Sequence, residues 1–134
     1  MQPCEELRNL VLKNYENEAL GRVHEVVTDS YSHQEGTTVI GSDPANWFEG
    51  YEAIFKFYEP AATSRLEVTV EVLHAFREGN IGWTMDRVRL KLPDGGELPI
   101  RHTRIFEREA EGWKIVHNHT SIPVPDEKLY DLWG

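Results

Sequence analysis

The sequence predicts an α+β fold, with three N-terminal helices packed on one face of a curved, mainly antiparallel sheet. Three observations carry this. Apolar side chains recur at helical spacing through the first sixty residues, interrupted by one short β-rich run. From residue 65 onward the apolar spacing changes to two. Turn residues at 78–80, 93–96 and 109–112 then divide this second half into strands that fold back on one another. At 134 residues the chain is read as one domain, 1–134, long enough to bury a core without disulfide or metal staples.

In chain order, residues 4–15 read as an amphipathic helix, with Leu7, Leu10, Val11 and Tyr15 on one stripe and Glu5 and Glu6 suiting the first-turn dipole. A second helix follows, with Asn17 as its cap and Leu20, Val23, Val26 and Val27 as its buried stripe. Thr37–Gly41 is a short strand broken by Ser42-Asp43-Pro44. Trp47 and Phe48 sit on the connection to a third helix, Tyr51 to Tyr58, which ends at Pro60. They either plug the end of the core or, for Trp47, wall the mouth of a pocket. Residues 65–72 alternate, so Leu66, Val68, Val70 and Val72 share a packed face. Strands over 81–92, 97–108 and Gly112–Pro123 complete a meander. The tail carries a helical turn at Lys128–Trp133, whose Leu129, Tyr130, Leu132 and Trp133 are expected to dock on some surface.

Charge and cysteine content narrow the function classes. The formal net charge of −9 argues against a broad basic surface for nucleic acid or an anionic membrane. The distribution is uneven: residues 1–60 hold eleven acids and four bases, while residues 83–108 hold six bases and four acids. The arginines therefore concentrate in the strands. Cys4 stands alone, which excludes a disulfide framework and a thiolate zinc cage. No basic stretch leads into a long apolar run, so neither leader nor span is expected and the cytoplasm is the default location.

The turn at Pro93–Gly96 allows the sheet faces to be argued. With Leu92 opposite Glu97, Arg87 faces His102, Met85 faces Arg104, and Trp83 faces Phe106. One face then carries Trp83, Met85, Arg87, Arg89, His102, Arg104 and Phe106. Apolar walls with a few aimed cations suit a ligand bearing a carbonyl or carboxylate. The bland alternative is solvent-facing arginines paired with Glu71 or Glu107. The last strand has two registers. A two-residue loop at Ala110-Glu111 puts His117 and His119 on the face of Arg104; a three-residue loop puts Asn118 and Thr120 there.

Among reactive groups, His102 is the candidate general acid or base, because its ordinary pKa lies near neutrality. Its bland alternative is an unpaired surface histidine. Asp86, in this register, turns away from the arginine face. His117 and His119 lack an evident third ligand, so no metal is expected. Neither Ser121 nor Cys4 has a placed base, and no glycine loop opens a helix to cradle phosphate, so no cofactor is expected either.

The run Gly41-Ser42-Asp43-Pro44-Ala45-Asn46-Trp47-Phe48-Glu49-Gly50-Tyr51-Glu52-Ala53-Ile54 resembles the SnoaL-like branch of the nuclear transport factor 2-like superfamily. The closing Gly112-Trp113-Lys114-Ile115-Val116-His117-Asn118-His119-Thr120-Ser121 resembles the same branch, and also the association domain of calcium/calmodulin-dependent protein kinase. The resemblance covers nearly the whole chain and implies the cone-shaped fold of that superfamily. It does not fix an activity, since the superfamily spans isomerases, cyclases, hydrolases, dehydratases and assembly domains. The kinase domain lines its pocket with arginines on three successive strands; those positions fall on Arg87, Arg104 and Thr120, which favours the register that brings Asn118 and Thr120 inward. A homodimer through the outer sheet face is also implied, helped by a sheet too large for three short helices to cover. The expected site thus has Trp47, Tyr58, Trp83 and Phe106 as walls and Arg87, Arg104, Asn118 and Thr120 as orienting groups. A small apolar carbonyl or carboxylate compound is the expected ligand, with His102 moving a proton in an isomerase- or lyase-type reaction. The alternative is a non-catalytic dimerisation or ligand-sensing module.

Overall fold

A computed structural model describes residues 1–134. Its elements are β1 (Gln2–Pro3), α1 (Glu5–Ala19), α2 (Val23–Ser30), β2 (Thr38–Ile40), β3 (Trp47–Glu49), α3 (Tyr51–Tyr58), β4 (Val68–Glu78), β5 (Ile81–Lys91), β6 (Glu97–Glu109), β7 (Gly112–Ser121) and α4 (Asp126–Tyr130). The strands form one seven-stranded sheet in the order β1-β4-β5-β6-β7-β2-β3. All pairs are antiparallel except β2 against β7, which run parallel. The expected α+β architecture, helices on a curved and mainly antiparallel sheet, is therefore present. Besides the three N-terminal helices, a fourth, α4, follows the sheet, two residues ahead of the helical turn expected at Lys128–Trp133.

Helix α1 runs past the expected end at residue 15 and absorbs Asn17, the supposed cap of the next helix. The break comes instead at Gly21, whose φ of 80° is the left-handed conformation that favours glycine. This extension matters for the site, because it carries the buried stripe of Leu7, Val11 and Tyr15 one more turn, to Glu18. Glycine also allows α1 to lie close on the sheet, since a Cβ at Gly82 of β5 would overlap the Leu7 side chain. The core lies between α1, α2 and α3 and the inner sheet face. Leu7, Ile54, Val88 and Phe106 are fully buried in it, each contributing roughly 1.5–3 kcal/mol by leaving water.

Three register features decide which side chains face this core. Lys91, not Leu92, pairs with Glu97, so the β5–β6 loop takes five residues, Leu92–Gly96. Leu92 N–H donates to the Gly96 carbonyl, and Gly95 N–H donates back to Leu92. The one-residue shift exchanges faces between the two strands. Asp86 now faces His102, Thr84 faces Arg104, and Arg87 faces Arg101. Next, β6 and β7 do meet through the two-residue turn Ala110-Glu111, but a bulge leaves Val116 unpaired between Ile115 and His117. The bulge restores the other outcome: Asn118 opposes Arg104, Thr120 opposes His102, and His117 and His119 face outward. Finally, a bulge at Glu71 turns Val72 outward and Leu73 inward, which ends the packed face expected from Leu66 onward at Val70.

The tail forms α4 and a further helical turn at Asp131–Trp133. Leu129, Tyr130, Leu132 and Trp133 are 45%, 64%, 81% and 80% exposed and do not dock on this chain. No helix is long and apolar enough to cross a membrane.

Candidate functional site

Polar side chains converge where α1 crosses β5 and β6. Tyr15 reaches the inner sheet face from the end of the α1 stripe. Its hydroxyl donates to Asp86 Oδ2 at 2.7 Å. Arg104 Nη1 donates to the same oxygen at 2.7 Å, and Nη2 donates to Tyr15 Oη at 3.0 Å. The other carboxylate oxygen, Asp86 Oδ1, lies 2.8 Å from His102 Nδ1. Asp86 and Arg104 are 5% and 8% exposed, so both charges stand in a poorly hydrated setting and hold each other ionised.

The titration of the cluster follows from these contacts. Burial would raise the Asp86 carboxyl, but the His102 hydrogen bond and the Arg104 charge outweigh it and hold it at about 2. Burial and the Arg104 cation keep His102 below its ordinary 6.5, despite the pull of Asp86. Burial also works against Arg104, yet Tyr15 and Asp86 together raise it above its ordinary value. An ionised Asp86 can only accept, so Nδ1 of His102 carries the imidazole proton. The Nε2 lone pair is left without a partner from this cluster.

This cluster bounds a cavity of about 240 Å³ between the helices and the inner sheet face, with Val23, Val27, Leu66, Val88 and Ile100 among its apolar walls. Its volume is near the small end of ligand pockets. A second polar group lies in the same wall. Asn118 Nδ2 donates to Tyr31 Oη at 3.0 Å, and Tyr31 and Tyr58 share a hydrogen bond of 3.3 Å. Burial raises both phenols above their ordinary value, so they remain donors through neutral pH. Glu18 lines the cavity too, three residues beyond Tyr15 on α1. Burial drives its carboxyl up, the Arg104 cation pulls it back and the Asp86 anion raises it again, leaving it at about 7.

Of the residues singled out from the sequence, Tyr58, His102, Arg104, Asn118 and Thr120 line this one cavity. Phe106 faces inward but is fully buried in the core beside it. Three expectations are corrected. Arg87 and Trp83 lie on the outer sheet face, because the five-residue hairpin loop shifts β6 by one position. Arg87 pairs there with Glu71 at 3.8 Å, the ion pair first weighed as its bland alternative. Trp47 pairs with Ile40 on the outermost strands and is 65% exposed; its neighbour Phe48 turns inward and stacks on Phe57 at 4.4 Å. The bland reading of His102 also fails, since Asp86 and Tyr15 both contact it.

Tyr15, Glu18 and Tyr31 lie in the site without being among the residues expected there, and Asp86 faces inward where the expected register turns it out. A signal existed for two of them. A phenol and a carboxylate at positions 15 and 18 continue the buried stripe of residues 7 and 11, where a helix with a purely structural role would place aliphatic side chains.

Comparison with known proteins agrees with this architecture. The family model for a SnoaL-like domain matches residues 13–125. A nuclear transport factor 2-like protein of unknown function from Pseudomonas putida KT2440 superposes with a TM-score of 0.78 at 18% identity, covering 92% of this chain and 88% of that one. A candidate ketosteroid isomerase from Parabacteroides distasonis gives a TM-score of 0.75 at 13% identity, covering 90% and 91%. A candidate calcium/calmodulin-dependent protein kinase II association domain from Xanthomonas campestris gives 0.70 at 17% identity, covering 88% and 86%. At these identities the structural likeness speaks for the fold alone. No curated protein matches the sequence. Fold and family model agree: the chain belongs to the SnoaL-like domain family.

Proposed function

We propose that the cavity binds a small, largely apolar compound bearing a carbonyl or carboxylate and moves a proton on it, in an isomerase- or lyase-type reaction. The observation that carries this reading is that His102 and Arg104 line a mostly apolar cavity and are both held by the buried Asp86 behind them. Asp86 holds the imidazole in the tautomer whose Nε2 accepts a proton. Arg104 stands beside it as a fixed positive charge for the oxygen on which negative charge develops. Asn118, Tyr58 and Thr120 supply further polar contacts from the same wall. The likeness to a candidate ketosteroid isomerase supports this class of reaction without naming a substrate.

A second reading, a dimerisation or ligand-sensing module, is favoured by the outer sheet face. Met85 and Ile105 are 45% and 38% exposed there, beside a groove lined by Arg87, Arg101 and His119. A homodimer through this face is compatible with either reading.

The test is a thermal-shift series with small ketones and carboxylates on the wild type, His102→Gln and Arg87→Ala. A ligand that binds the native state at a hundredfold its Kd adds about 2.7 kcal/mol of stability. The reading expects a shift in the wild type and in Arg87→Ala, together with deuterium exchange at the carbon next to the carbonyl that His102→Gln loses. Binding without any exchange would move the assignment to the sensing module.

A further inference from the structure

Glu18 is a carboxyl group in an unusual place. It lines the cavity, half-buried, on the same helix face as Tyr15, and its side chain makes no ion pair within 4.0 Å to any base. A leucine at this position would extend the apolar wall at no electrostatic cost. The titratable and charged groups that line the cavity with it are Tyr15 on its own helix, Tyr31 at the end of α2, Tyr58 on α3, and His102 and Arg104 on β6, with Asp86 of β5 behind Tyr15. Asp86 is committed to Tyr15, His102 and Arg104, so Glu18 is the one carboxyl group in the cavity with nothing bound to it.

We propose that Glu18 is the general acid that works with His102 as base, and that the pair eliminates water from β-hydroxy carbonyl compounds. This rests on the proton-transfer reading above. In the step, His102 Nε2 takes the proton from the carbon next to the carbonyl, and the C–H electron pair moves onto the carbonyl oxygen beside Arg104. The pair then returns to form the carbon–carbon double bond as the β carbon–oxygen bond breaks. The departing oxygen takes the Glu18 proton and leaves as water. Imidazolium and carboxylate remain, and proton transfer between them, direct or through the released water, restores both groups. Nothing is oxidised or reduced. A conjugation shift needs only one proton-carrying base, whereas hydroxide leaves poorly unless protonated, so a second and separate acid favours elimination. The two environments move in the directions this division of labour requires: Glu18 is raised to about 7 and stays protonated towards neutrality, while His102 is lowered and stays neutral there.

The experiment uses the aldol adduct of acetone and benzaldehyde, whose dehydrated product absorbs in the near ultraviolet. Wild type, Glu18→Gln, Glu18→Asp, His102→Gln and Arg87→Ala are each followed for water loss and for deuterium exchange next to the carbonyl. The proposal expects both reactions in wild type and Arg87→Ala, and neither in His102→Gln. In Glu18→Gln it expects water loss to fall about a hundredfold, with the balance moving towards exchange, and partial recovery in Glu18→Asp. The wild-type rate should fall as pH rises through about 7, and Glu18→Gln should lack that limb. Exchange without water loss in wild type, or wild-type water loss in Glu18→Gln, overturns the role of Glu18 and leaves the proton-transfer reading standing. Absence of both exchange and water loss from the wild type overturns that reading and this inference with it.

Discussion

Asp86 and Arg104, on adjacent strands, meet at 2.7 Å behind the cavity wall, each less than a tenth exposed. They are not directly opposite in the ladder: Asp86 pairs with His102, and Arg104 with Thr84. The contact is diagonal, which leaves the second carboxylate oxygen free for the histidine across from it. One buried anion therefore serves three donors, and its removal reaches all of them.

Arg104→Met is expected to cost about 3–5 kcal/mol, because Asp86 is left as a buried charge without its cation. Adding Asp86→Asn to it should recover part of the loss, since the two residues share one interaction. Urea unfolding of the single and double variants measures both. Additive costs would show that the pair is not coupled.

The folded-state value of about 2 for Asp86 lies below its ordinary 3.8. Its contribution, about 2 kcal/mol, is therefore complete above pH 3.8 and is lost as pH falls through about 2. Asp86→Asn should remove this acid limb from the profile of stability against pH, measured by denaturant midpoints.

Glu18 behaves in the opposite sense. Raised from 4.5 to about 7, it contributes fully below pH 4.5, and that contribution is lost as pH rises through about 7. Glu18→Gln, which stays neutral, should match wild type below pH 4.5 and exceed it by about 2 kcal/mol at pH 8, a figure reduced for partial solvent screening. Equal stability at pH 8 would mean that the carboxyl is well solvated.

Arg87→Ala should leave ligand-induced melting shifts at wild-type size and cost no more than about 1 kcal/mol, since its pair with Glu71 is open to solvent. Met85→Glu combined with Ile105→Glu should turn the expected dimer into a monomer by sedimentation, because both side chains are exposed on the outer sheet face. A wild type that sediments as a monomer would remove the dimer.

The sequence carried the element order because periodicity is a local property: the stripe of Leu7, Val11 and Tyr15 and the alternation after residue 65 are read within a few residues. Faces depend instead on single-residue events that periodicity does not encode. The five-residue loop Leu92–Gly96 exchanged the partners of Arg87 and Asp86. The bulge at Val116 kept Asn118 and Thr120 inward despite a two-residue turn that alone would have turned them out. His102 and Arg104 were recognised by residue type, but with Arg87 as their companion in place of Asp86. Glu18 was hidden behind a cap assigned to Asn17, which ended the first helix before it.

The most direct measurement is nitrogen NMR of His102 in the free protein across pH, assigned with His102→Gln. At pH 7 the account predicts a neutral ring with the proton on Nδ1 and a bare Nε2, titrating below 6.5. A ring protonated on both nitrogens at pH 7, or carrying its proton on Nε2, would contradict it.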